Sequence, residues 1–250
     1  MRYIQPTVGK LAPGLAAAQT VTKAASAEKG RVRPFARYVT MHISEGVLSA
    51  PVILGGAALA LAGTARGLRE ITAEELPRAA LLAAVFFTAS LIHVRLGPAS
   101  THLVLSGLIG LLMGWAAFPV ILIGLLLQGL LFQYGGLTTL GVNTFNMAGP
   151  AALLGALLRP GISGGNARTA AVCALICGGG SILLSALLVA ACLYLSGDQF
   201  AVFSLAVVGA NLPIVAIEAL VAMFCVQFLR KVRPGLLRRP VLKSGAGPES

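Results

Sequence analysis

Two histidines in this chain stand where they could hold a metal ion. His42 directly follows a methionine, Met41, and His102 lies sixty positions later in a glycine- and hydroxyl-rich stretch. If Met41 opens the mature chain, its free amine, the backbone nitrogen of His42 and the His42 Nδ1 close a five-membered and then a six-membered chelate ring. A fourth nitrogen completes a plane, and His102 is the best donor for it. A planar set of nitrogens suits Ni(II) or Cu(II). If Met41 is internal, His42 is an ordinary interfacial histidine.

Other residues with chemical potential offer less. The four cysteines, Cys173, Cys177, Cys192 and Cys225, all fall in apolar stretches. They read as small packing residues and not as a disulfide framework. Gly161-Ile162-Ser163-Gly164-Gly165 has the form G-x-S-x-G. A serine nucleophile needs a base, and no histidine follows Ser163, so a rhomboid-type protease is disfavoured. No G-x-x-x-x-G-K-[ST] loop is present to cradle ATP phosphates. The chain is therefore expected not to be an enzyme, and energy for any transport comes from a partner or an ion gradient. Glu218 lies inside an apolar stretch, where an acid is a functional candidate by default. Its alternative role is a hydrogen bond within a helix bundle near Asn211. His93, beside Arg95, reads as interfacial.

The elements that must position these residues follow from composition. The chain is 57% hydrophobic and 11% charged, which marks a polytopic membrane protein in contact with the lipid bilayer. Nineteen Lys and Arg stand against eight Asp and Glu. This excess reports topology rather than nucleic-acid binding, since no aromatic-interleaved basic patch accompanies it. The fold class is all-α. Seven apolar segments run over roughly 47–64, 79–94, 102–115, 117–133, 145–158, 169–196 and 203–229. The long 169–196 segment is expected to be tilted or kinked around Gly178-Gly179-Gly180. Alternate loops carry Arg66, Arg69, Arg78, Arg159 and Arg168, and the tail adds Arg230 and Lys231. By the positive-inside rule the tail is cytoplasmic and Met41 lies outside.

Three regions are expected: a basic extension over 1–40, a transmembrane metal-binding domain over 41–232, and a cytoplasmic tail over 233–250. The extension carries seven Lys and Arg yet would have to sit outside. It is therefore expected to be disordered, removed or never translated. Two stretches on the same side as Met41, 95–102 and 133–146, are expected to be loops that fold inward over a site. Asn143 and Asn146 in the second stretch either brace an imidazole or a loop carbonyl, or cap helices and turns. Gly56 and Ala60, Ala58 and Ala62, and Ala79 and Ala83 form small-xxx-small pairs. Each pair suits either a partner helix or internal packing.

Four segments occur in a telling order: Met41-His42-Ile43-Ser44-Glu45-Gly46-Val47-Leu48, then Gly97-Pro98-Ala99-Ser100-Thr101-His102-Leu103, then Gly135 to Met147, then Leu212-Pro213-Ile214-Val215-Ala216-Ile217-Glu218-Ala219. Together they resemble the CbiM/NikM family, the substrate-binding membrane subunits of energy-coupling-factor cobalt and nickel transporters. The resemblance covers roughly 41–232. It implies a multi-pass cell-membrane subunit of seven helices with an extracytoplasmic N-terminus that chelates the transported Co2+ or Ni2+, and no cofactor. Carried over, the metal donors are Met41, His42 and His102, with Thr101, Asn143 and Asn146 around them. It also implies a transmembrane coupling subunit, cytoplasmic ATPase subunits and often a small accessory membrane subunit. Asn211 departs from the histidine that relatives often carry there, and Val142 from a common alanine. The alternative is a proton-coupled secondary metal carrier using Glu218, which would take up metal by this chain alone.

Overall fold

The computed structural model describes residues 42–96, 99–197 and 200–237. Met41, the extension over 1–40 and the tail beyond Leu237 lie outside the described residues. The order of elements is α1 (Ala50–Leu68), α2 (Leu76–Ala89), β1 (His93–Leu96), β2 (Ala99–His102), α3 (Ser106–Met113), a 3-10 turn (Gly114–Ala116), α4 (Ala117–Phe132), α5 (Leu140–Ser163), α6 (Ala167–Ser196), α7 (Ala201–Val232) and a closing 3-10 turn (Pro234–Leu237). Among the described residues, four apolar stretches are long enough to cross a membrane: Ala50–Leu68, Ser106–Phe132, Ala167–Ser196 and Ser204–Val232. Leu76–Ala89 is a shorter apolar helix.

Local sequence accounts for several boundaries. Pro51 and Pro77 stand in the first turns of α1 and α2, where a missing N–H costs nothing. Asn166 caps α6 by accepting from the Thr169 N–H at 2.8 Å. Gly114, at φ 61° and ψ −128°, ends α3 in a conformation that favours glycine.

Two segments differ from the sequence expectation. The second apolar run was expected to stay helical to residue 94, followed by a loop. Instead α2 stops at Ala89, and 93–96 pairs antiparallel with 99–102, placing His93 opposite His102 along the backbone. A hairpin satisfies backbone groups internally where an irregular loop at membrane depth would leave them open. The asparagine-rich stretch was expected to be a loop up to residue 146. It is helical from Leu140, so Asn143 and Asn146 both lie on α5. Asparagine usually weakens a helix by bonding its own backbone, but Asn143 spends its amide mainly on a distant segment, described below. Thr144 bonds back to Leu140 O at 2.7 Å within the helix.

Glycines set the helix spacing. A Cβ on Gly110 of α3 would lie 2.0 Å from Ala151 O, and one on Gly155 of α5 would lie 2.2 Å from Gly110 O. The two backbones thus touch where neither residue has a side chain, the close approach that helix association in lipid exploits. Gly178-Gly179-Gly180 falls inside the α6 helix, which runs without interruption from Ala167 to Ser196. The small-xxx-small pairs divide by face. Gly56 abuts Val142, and Ala60, Ala79 and Ala83 are buried, so those pairs pack internally. Ala58 and Ala62 are exposed.

The arginines read as topology signals also make specific bonds. The Arg78 and Arg159 Nη2 groups both donate to Leu112 O near the end of α3, at 3.1 and 3.0 Å. Arg230 donates to Ile162 O at 2.6 Å and Gly165 O at 2.9 Å. Cations at helix C-termini complement the dipole and satisfy open carbonyls. All four cysteines are free, and the Ser163 hydroxyl bonds back to Arg159 O in its own helix.

Candidate metal centre

The stretch entering α1 and the stretch leaving the hairpin meet at two imidazoles. His42 Nε2 lies 2.9 Å from His102 Nε2. The ring centroids are 4.9 Å apart and the planes 16° apart, so the rings meet nitrogen to nitrogen in nearly one plane. Both residues are buried, at 4% and 5% exposure, so the contact is not a chance surface encounter.

The tautomers follow from the partners. His102 Nδ1 lies 3.1 Å from Leu103 O. A carbonyl can only accept, so Nδ1 carries the proton and Nε2 keeps its lone pair. A 2.9 Å contact with that lone pair requires a donor, so His42 Nε2 is protonated. In that tautomer the basic nitrogen of His42 is Nδ1, the atom that the chelate expected from the sequence would use. A ligating histidine commonly gives its second N–H to a backbone carbonyl, as His102 does. In this geometry His42 turns Nε2 rather than Nδ1 towards His102.

Residues around the pair hold the His42 segment. The Asn143 Oδ1 accepts from the Ile43 N–H at 3.0 Å, and its Nδ2 donates to Ile43 O at 3.1 Å. The side-chain amide thus pairs with both the N–H and the C=O of one residue, as the facing residue of a neighbouring antiparallel strand would. Thr139 Oγ1 donates to the same Ile43 O at 2.7 Å. Below this, Ile43 and Leu48 pack on Val142, Val189, Leu193 and Val207. Glu45 turns back over the 133–139 loop, accepting from Leu137 N–H at 2.8 Å. Gly136 leaves room for it, since a Cβ there would lie 2.0 Å from Glu45 Cγ.

The other expected residues fall elsewhere. Asn146 is buried, but its side chain contacts Cys192 Sγ and its carbonyl accepts from the Ser185 hydroxyl, so it joins α5 to α6. Thr101 lies in β2. Asn211 donates to Val207 O, one turn back on α7, at 2.7 Å, and forms no bond to Glu218. The Glu218 carboxylate instead accepts from the Val104 N–H at 2.5 Å and from the Leu105 N–H at 2.8 and 3.0 Å. Among the described residues no three His, Cys, Asp or Glu side chains cluster as a metal site.

Sequence reading missed Thr139, Glu45 and the Glu218 contact. A signal for one of them was available: an acid is costly inside an apolar stretch, where Glu218 stands buried, whereas Glu45 is exposed.

Residues 42–236 match the CbiM family, described as the cobalt uptake substrate-specific transmembrane region. The chain belongs to the CbiM family. The family is one of membrane transport components, and this member is a multi-pass membrane protein by the family match and its apolar helices. It is 54% identical over 119 residues to a putative metal transport protein of Haemophilus influenzae, covering 48% of this chain and 58% of that one. It is 33% identical over 215 residues to the cobalt transport protein CbiM of Sorangium cellulosum, covering 80% and 95%. A fused nickel transport protein NikMN of Rhodobacter capsulatus is 36% identical over 118 residues, 43% of this chain and 33% of that protein. The match thus spans only part of the first and third of these relatives. The fold resembles the crystal structure of a truncated transition metal transporter, with a TM-score of 0.59 at 23% identity, covering 76% of this chain and 98% of that one.

Proposed function

We propose that this chain is the metal-binding membrane subunit of an ATP-driven energy-coupling-factor importer for divalent cobalt or nickel. The observation that carries the reading is the buried His42–His102 pair, two imidazoles brought to 2.9 Å from segments sixty residues apart. The ion takes the Met41 amine, the His42 backbone nitrogen and Nδ1, and the His102 Nε2. Loading turns the His42 ring so that Nδ1 replaces Nε2 in facing His102. Ni(II) favours such a planar nitrogen set, and the relatives' names include both cobalt and nickel. Seven helices, α1 to α7, form the membrane-embedded part of the subunit in this reading. The N-terminus of the mature chain is outside and the α7 end is cytoplasmic. Membrane coupling and ATPase subunits supply the drive. The fused relative supports assembly with further transport components.

The test is a Ni(II) and Co(II) titration of the purified protein, with its N-terminus read by intact mass. His42→Ala and His102→Ala each lose a donor and bind several orders of magnitude more weakly, because losing a ligand costs more than the 10–100-fold of a supporting residue. His93→Ala binds as wild type. Wild-type affinity in His102→Ala rejects the site. Uptake by this chain alone, driven by a proton gradient, favours the secondary carrier instead.

A further inference from the structure

We infer that Glu218 is a positioning residue for the metal site: from within α7 it sets where His102 points. The inference rests on the proposed role of His102 as a ligand.

Glu218 is 1% exposed and sits in the interior of α7, one of the apolar stretches long enough to cross a membrane. A carboxylate in such a place is expensive unless strong donors meet it. The donors are the backbone N–H groups of Val104 and Leu105, two and three residues after His102. These lie where the chain turns from β2 into α3. Leu105 is the N-cap of α3 with φ 57°, a left-handed conformation unusual for leucine, and it has no capping side chain of its own. Glu218 meets the N–H groups of this N-cap residue and of the one before it from another helix, and a helix N-terminus attracts negative charge. The carboxylate therefore stabilises the turn in which the backbone leaves His102.

The anchor itself is fixed in place. A Cβ on Gly178 of α6 would lie 2.6 Å from Glu218 O, and one on Gly107 of α3 would lie 2.5 Å from Cys177 O. The Cys177 thiol also reaches Gly107 O at 3.4 Å. The start of α3, the middle of α6 and the Glu218 turn of α7 are thus locked together through two glycines. With its backbone held against α6, the Glu218 side chain places its carboxylate on the Val104 and Leu105 N–H groups. From there the linkage runs over two residues to the His102 ring, whose Nδ1–H is itself pinned by Leu103 O.

The chemistry separates this role from proton carriage. Positioning needs an acceptor oxygen at the right reach. Carriage needs a group that can lose and regain a proton. Glu218→Gln keeps an oxygen at the same reach and loses the acid. Glu218→Asp keeps the acid and falls one methylene short. Glu218→Ala loses both.

The experiment titrates Ni(II) and Cu(II) into the detergent-purified full chain and its variants. It reads affinity together with the Cu(II) electron paramagnetic resonance spectrum, whose nitrogen splitting counts the donors. Wild type and His102→Ala set the two reference spectra, differing by one nitrogen. Glu218→Ala and Glu218→Asp are expected to bind about 10–100-fold more weakly, with spectra shifted towards that of His102→Ala. Glu218→Gln is expected to restore the wild-type spectrum. Should Glu218→Ala not purify as a single species, Glu218→Asp carries the comparison. Wild-type affinity and spectrum in Glu218→Asp, with His102→Ala altered, overturn the inference and leave the site intact. A Glu218→Gln chain that fails to fold or bind also overturns it, since that chain keeps the acceptor. Unchanged binding in His102→Ala overturns the metal site itself.

Discussion

The pairing of Asn143 with the Ile43 N–H and C=O permits a quantitative test of how the His42 segment is held. Asn143 is 3% exposed and Ile43 4% exposed, so water does not replace a lost partner readily. In Asn143→Ala the Ile43 N–H loses the Asn143 Oδ1 acceptor, while Ile43 O keeps the Thr139 hydroxyl at 2.7 Å. A buried donor left unsatisfied costs about 1–3 kcal/mol, and the second lost bond contributes about 1 kcal/mol net. The total is about 2–4 kcal/mol. Charged wholly against His42 positioning, this equals roughly one and a half to three decades of affinity. Part of it is spent as lower folding stability instead, so the expected loss in Ni(II) affinity is about 10–100-fold. Asn143→Asp is the sharper perturbation. It is nearly isosteric and keeps an oxygen for the Ile43 N–H, yet it sets a carboxylate oxygen against Ile43 O, 3.1 Å from the present amide nitrogen. Asn143→Asp therefore binds no better than Asn143→Ala despite its closer shape. The assay is calorimetric metal titration with a parallel thermal melt of each variant. Affinity within twofold of wild type in both variants, each folded, would show that the clamp does not position His42.

Metal affinity should rise with pH across the imidazole range, because protonated donors cannot ligate and binding releases protons. A plot of log affinity against pH measured by titration should lose about one proton of slope in His102→Ala. Ala83→Leu should destabilise by about 1–3 kcal/mol through overpacking, since Ala83 is buried. Ala62→Leu, on the exposed face, should stay within about 0.5 kcal/mol of wild type. Thermal melts in detergent check both.

The sequence by itself carried the membrane class, because an apolar run is a local property that needs no partner to be recognised. It also marked His42 and His102 as the pair worth joining, since the chain has only three histidines and one follows a methionine. What it lacked were the bonds between distant segments. Asn143 looked like a loop residue because its helix-weakening chemistry is visible locally, while the Ile43 N–H and C=O that absorb it lie 100 positions away. Glu218 looked like a carrier or a partner for Asn211. The amides that hold it are those of Val104 and Leu105, 114 and 113 positions away, and backbone N–H groups leave no trace in residue identity. The small-residue pairs had the right spacing for either packing or docking. Only the placement of Val142 against Gly56 turned that face of α1 inward and left Ala58 and Ala62 outside. Periodicity tells which residues share a face of one helix. The neighbour that the face meets is decided by how all the helices pack at once.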